Sequence, residues 1–126
     1  MIDYYQRNRL AILQRNAKRR REDPAWRRKQ VLGVRRAALK RRQRILAFII
    51  KLKDKPCKDC RERHPHFVMD FDHVRGRKLF SLGHAPNLNK TEAEILREVK
   101  KCEVVCSNCH RTRTHTRRMD KFKRAA

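Results

Sequence analysis

At 126 residues the chain has room for one modest domain and an appendage, and excludes two independent cores. Its 36 Lys and Arg against 13 Asp and Glu leave a formal net charge of +23, so nucleic acid is the partner that best relieves the self-repulsion. With one Trp, two Tyr and five Phe apolar burial is thin, and the longest apolar run, Ile45 to Ile50, falls far short of the ~20 residues that cross a bilayer.

The opening residues, MIDYYQRNR, are polar and charged and show no signal segment, so a cytoplasmic location beside the nucleic acid, with no membrane contact, is expected. Residues 1 to 56 carry 19 basic and 4 acidic side chains, residues 57 to 126 carry 17 and 9, and all five cysteines fall in the second part. The division predicts a basic helical arm over residues 1–55 and a second module over 56–126. Asp23 followed by Pro24 reads as an N-cap and first helical residue, which makes the arm two helices with a break near 23–24. From Val31 onward apolar residues recur at Val34, Ala38, Ile45, Phe48 and Leu52, interrupted only at Arg41, so one face can pack on something. The arm is expected to track phosphates along nucleic acid; the alternative is a solvated charged helix whose stripe docks on a larger protein partner or on the second part.

In the second part Phe67, Met69 and Phe71 alternate with Val68 and Asp70, the period of a strand. Thr91 with Glu94 three residues on forms a capping box, followed at helical spacing by Ile95, Val99 and Cys102. Glu103, Val104 and Val105 read as a brief strand. From Ser107 or Asn108 a terminal basic helix follows, carrying Arg111, Arg113, Arg117 and Arg118.

Cys57 and Cys60 form one Cys-x-x-Cys, and Cys106 and Cys109 another, with 45 residues between Cys60 and Cys106. Two such knuckles each present two sulfurs, and zinc takes four thiolates at ~2.3 Å in a tetrahedron. A redox pair explains one motif and leaves the second unexplained. Cys102 is the odd thiol: with residues 102 to 106 extended it lies about 13 Å from Cys106 at ~3.3 Å per residue, beyond a shared zinc, and suits a small buried residue. His64 and His66 are expected at the surface.

With the knuckles placed, "MDFDHV" between them and "CSNCHRTRT" after them, residues 56–116 resemble the HNH endonucleases, in particular the small zinc-stapled, phage-type members. The resemblance implies an α+β fold, a ββα-metal module with a four-cysteine zinc site, here preceded by long basic α-helices. It implies Asp72 and His110 as ligands of a catalytic divalent metal, Mg²⁺ or Mn²⁺, and His73 as the general base that takes a proton from water during hydrolysis of DNA. RNA or branched DNA are further substrate classes. Arg75, Arg77, Lys78, Arg111 and Arg113 lie close in sequence to the implied site and suit phosphate contacts. Neighbours in a regular strand point to opposite faces, so Asp72 and His73 share a site only if the strand ends or twists there, and Gly76 is where a bend would form. The family's middle Asn falls at Lys101 in this chain; Asn87 and Asn89 lie earlier in the connection. The alternatives to a nuclease are a zinc-containing protein that binds nucleic acid without cutting, and a basic assembly component of a larger nucleoprotein complex.

Overall fold

A computed structural model describes residues 3–125; residues 1, 2 and 126, the extreme ends of the two expected segments, lie outside the described residues. Its α+β chain forms two compact units that divide after Lys40. No helix among the described residues is long and apolar enough to cross a membrane.

The first unit holds helix α1 (Tyr4–Glu22) and the beginning of helix α2 (Pro24–Lys53). They break where the sequence predicts. Asp23 ends α1 by donating its N–H to the Arg19 carbonyl (2.8 Å) and opens α2 by accepting the Trp26 N–H on its carboxylate (2.9 Å). Pro24 needs no hydrogen-bond partner at that first position. The Arg19 guanidinium lies 5.5 Å from the Trp26 ring centroid, a cation–π contact across the break. α1 buries no residue.

The second unit begins at Arg41, inside α2, whereas the change in composition along the sequence lies near residue 55. The apolar stripe of α2 is two features. Val31 and Val34 remain 43% and 70% exposed, whereas Ile45 and Ile49 are buried with Leu82, Ala85, Ile95 and Cys102. Phe48 and Leu52 pack against that cluster. Burying each isoleucine contributes about 2 kcal/mol, so the end of α2 is core material of the C-terminal unit. Arg41, which interrupts the stripe, donates to the Leu88 carbonyl at 2.7 Å and ties the connecting segment to α2.

Strands β1 (Met69–His73) and β2 (Cys102–Cys106) pair antiparallel, with Met69 opposite Cys106, Asp72 opposite Glu103 and His73 opposite Cys102. Phe67, expected in the strand, sits instead in a 3-10 turn, His66–Val68, and is 75% exposed. The connection contains a second 3-10 turn, Leu82–Asn87, whose Leu82 and Ala85 enter the core, and helix α3 (Glu92–Val99). The Thr91–Glu94 capping box forms in full: Glu94 N–H donates to Thr91 Oγ1 (3.2 Å) and Thr91 N–H donates to Glu94 Oε2 (2.8 Å). Helix α4 (Ser107–Ala125) follows β2 without a break.

A second cluster, of Cys57, Met69, Val104, Val105 and Cys106, packs around the cysteine pairs. Alternation along β1 sets Met69, Phe71 and His73 on one face and Asp70 and Asp72 on the other. Gly76, at φ +67°, turns the chain beyond β1, and Val74 and Arg75 donate their N–H groups to the Lys101 carbonyl.

Candidate functional site

The sulfurs of Cys57, Cys60, Cys106 and Cys109 all lie within 4.8 Å of one another. A tetrahedron with ~2.3 Å zinc–sulfur bonds has edges of about 3.8 Å, so the four fit one zinc ion. Local backbone prepares them. Cys57 N–H donates to the Glu62 carbonyl (2.9 Å), and Arg61, at φ +66°, closes the turn by donating to the Cys57 carbonyl (3.0 Å). In the other pair Cys106 ends β2 and Cys109 lies in the first turn of α4.

Cys106 N–H donates to Cys57 Sγ at 3.2 Å and Cys109 N–H to Cys106 Sγ at 3.5 Å. Burial would raise the Cys57 thiol, but backbone N–H groups of Cys106, Cys60 and Asp59 outweigh it and hold the group below its ordinary value. Cys106 and burial push Cys109 the other way. Four clustered thiols resist joint ionisation, and a divalent cation removes that conflict. Cys102 stands apart as its spacing requires: it is buried, its Sγ donates to the Glu98 carbonyl (3.5 Å), and burial pushes it up to about 11. His66 is exposed; His64 is half-buried, with Nε2 at 3.8 Å from Cys60 Sγ.

Helix α4 meets the Asp70/Asp72 face of the hairpin. His110 Nδ1 lies 3.0 Å from Asp70 Oδ2, and its Nε2 lies 3.6 Å from Asp72 Oδ1. An ionised carboxylate only accepts, so Nδ1 donates to Asp70 and Nε2 is left facing Asp72. Asp70, which sequence reasoning passed over as a strand residue, thus orients the ring. An ion at ~2.1 Å from each partner spans up to about 4.2 Å, so Asp72 and His110 are close enough to share one.

The Asp72 carboxylate, 3% exposed, is however taken by arginines. Arg117 forks onto both oxygens (2.9 and 2.7 Å) and Arg113 donates to Oδ2 (2.8 Å). The Arg117 fork, joined by Arg113, holds the Asp72 carboxyl at about 2 against the burial that would raise it. Arg117 is 49% exposed, whereas the carboxylate it forks onto is buried, so the pair joins a solvent-facing cation to an interior anion.

Two of the residues expected to meet phosphate make internal hydrogen bonds. Arg113 donates to Asp59 (2.7 and 2.5 Å) and Glu103 (2.7 Å) as well as to Asp72, which joins the first knuckle, both strands and α4. Arg75 donates to the carbonyls of Lys100 (2.8 Å) and Cys102 (3.5 Å). Both spacings sit near the site, but five donors on a rigid plane also suit bridging between chain segments. Arg77, Lys78 and Arg111 are exposed. Arg111 lines an open groove of about 480 Å³ with Asp70, His110, Thr114, His115 and Arg118.

β1 stays regular through His73, so Asp72 and His73 do point to opposite faces. The bend at Gly76 comes too late to bring them together. His73 Nε2 lies 2.9 Å from Oε1 of Glu98, a carboxylate only 1% exposed. Glu98 also accepts from the Leu79 N–H (3.0 Å) and from Lys101 Nζ (2.8 Å), and Lys101 donates in addition to the Arg77 carbonyl (2.9 Å). Burial pushes the Glu98 carboxyl up, but Lys101, the Leu79 N–H and His73 together outweigh it and hold it at about 2. In sequence, Glu98 is one more charge on a short helix, and no signal marks it. Comparison of the chain with family models, with curated protein sequences and with solved structures returned no match.

Proposed function

We propose that the chain is a metal-dependent endonuclease of the HNH type, whose ββα-metal module hydrolyses phosphodiester bonds in DNA. The observation that carries the reading is the His110 imidazole, oriented by Asp70 so that Nε2 faces Asp72 beside a basic helix. Asp72 and His110 would hold Mg²⁺ or Mn²⁺, which when bound supplies a Lewis acid for the scissile phosphate and the leaving oxygen. Arg117, freed from Asp72, is then available to a phosphate oxygen. His73, the last residue of β1 and 16% exposed, would be the general base, and the end of the strand must twist for the ring to reach a phosphate held at Asp72 and His110. The zinc-bound knuckles hold β2 and α4 at the angle that sets His110 against β1.

The rival reading, a zinc-stapled nucleic-acid binder that does not cut, is favoured by the arginine fork on Asp72 and by the separation of Asp72 from His73. The two readings part on one assay. Supercoiled plasmid incubated with zinc-loaded protein and Mg²⁺ or Mn²⁺ is expected to become nicked, with no nicking when a chelator sequesters those ions. An intact plasmid under both metals, at protein concentrations that bind DNA, would establish the binder.

The first unit contributes charge. Its residues through Lys40 include 13 basic and 3 acidic side chains, and none of the proposed metal ligands. Deleting residues 1–40, which spares Ile45 and Ile49, is expected to weaken DNA binding and flatten its salt dependence. Each phosphate that the shortened chain no longer neutralises takes about 0.9 from the slope of log affinity against log salt, so five such phosphates flatten it by about 4.5. A slope unchanged by the deletion would assign the arm to a protein partner, docked through exposed Val31 and Val34.

A further inference from the structure

Glu98 is the buried charge that the proposed chemistry does not otherwise use. Burying a carboxylate is costly unless several donors meet it, and here three do. Two of them, the Leu79 N–H and Lys101, hold the carboxylate in place; the third is the ring of His73. Oε1 accepts from Leu79 and faces His73 Nε2, while Oε2 accepts from Lys101. The carboxylate is therefore anchored independently of the histidine it addresses.

An ionised carboxylate has no proton to give, so the contact at 2.9 Å requires Nε2 of His73 to be the donor. In the neutral ring the lone pair then sits on Nδ1. Among the described residues no buried side-chain nitrogen or oxygen lacks a hydrogen-bond partner, and Nδ1 has none from the protein, so Nδ1 is open to solvent. We propose that Glu98 is the positioning residue of the nuclease: it keeps the proton of His73 on Nε2 and presents Nδ1 as the atom that takes the proton from the attacking water.

The inference rests on the nuclease reading and deepens it. It also gives Lys101 a role. Where the HNH pattern has its middle Asn, this chain carries a lysine that fastens Glu98 and the Arg77 carbonyl beyond the Gly76 turn. The orientation of the base is supplied from α3 instead.

The experiment uses the zinc-loaded full chain. In ¹⁵N-labelled protein, long-range proton–nitrogen correlations of the His73 ring are expected to show a protonated Nε2 and an unprotonated Nδ1. Glu98→Gln keeps an oxygen for His73 and Leu79 and turns its amide toward Lys101, which is 25% exposed and free to move; it should retain the tautomer and most of the cleavage rate. Glu98→Leu removes the acceptor at similar volume; kcat should fall about 10- to 100-fold with KM unchanged, as the tautomer becomes mixed. Zinc content and melting identify a variant that has failed to fold, and the wild-type spectrum needs no variant at all. A wild-type His73 protonated on Nδ1, or a folded Glu98→Leu protein with unchanged kcat, overturns the proposal. A wild-type protein with the Nε2 proton that leaves plasmid intact overturns the nuclease reading, and with it the catalytic use of a ring that Glu98 nonetheless holds.

Discussion

Stripping zinc with a strong chelator is expected to unfold the unit that begins at Arg41, with loss of the circular dichroism of α3 and α4 and of any cooperative melting. The ligands are themselves core: Cys57 and Cys106 are buried among Met69, Val104 and Val105, and that cluster has few other members. Structural zinc supplies an apparent ~10 to 16 kcal/mol in small peptides, against a whole-domain stability of about 5 to 15 kcal/mol. Cys106→Ser should behave like the chelated protein. A stable melt with no bound metal, or a Cys106→Ser protein that melts with the wild type, would refute the zinc site.

Acid should act through the same centre. Glu98 and Asp72 have folded values near 2, below their ordinary 4.5 and 3.8, so their stabilisation is complete above about pH 4.5 and is lost only as pH falls toward 2. Structure that disappears between pH 7 and 5 should therefore follow thiolate protonation and move to lower pH when free zinc is raised.

His73→Ala is expected to reduce single-turnover cleavage by about 10²- to 10⁴-fold, the range that a positioned general base contributes, equivalent to ~3 to 5 kcal/mol of barrier. Zinc content and DNA affinity should stay near wild type, because the ring bonds Glu98 and is not one of the clustered cysteines. His110→Ala should lose activity as well, with partial recovery at high Mg²⁺ or Mn²⁺, since one ligand of the proposed metal is gone. A His73→Ala protein that cuts at the wild-type rate under limiting enzyme would remove His73 from the chemistry and leave the Asp72 face to act alone.

Features that depend on a few neighbouring residues were legible before any fold was known. The Asp23–Pro24 break, the Thr91–Glu94 box, both cysteine knuckles, the β2 strand and the start of α4 all rest on short spacings, and a short spacing has nearly the same geometry wherever it is folded. The exclusion of Cys102 from the four-cysteine cluster followed from extended-chain length alone, and the cluster forms without it. Even the opposition of Asp72 and His73 was contained in the period of a strand.

What the tertiary structure alone decided is which group each of these faces meets. Arg113 reads in sequence as a phosphate contact, and only packing brings it between Asp59, Asp72 and Glu103. The stripe on α2 keeps one spacing on either side of Arg41, yet only the part from Ile45 onward finds the turn at Leu82 and the helix at Ile95 to bury against. Asp70 and Glu98 are ordinary acidic residues in sequence, and their roles come from histidines 40 and 25 positions away. Periodicity states that a side chain points to a face; burial and charge compensation, which select its partner, depend on every segment that folds onto that face.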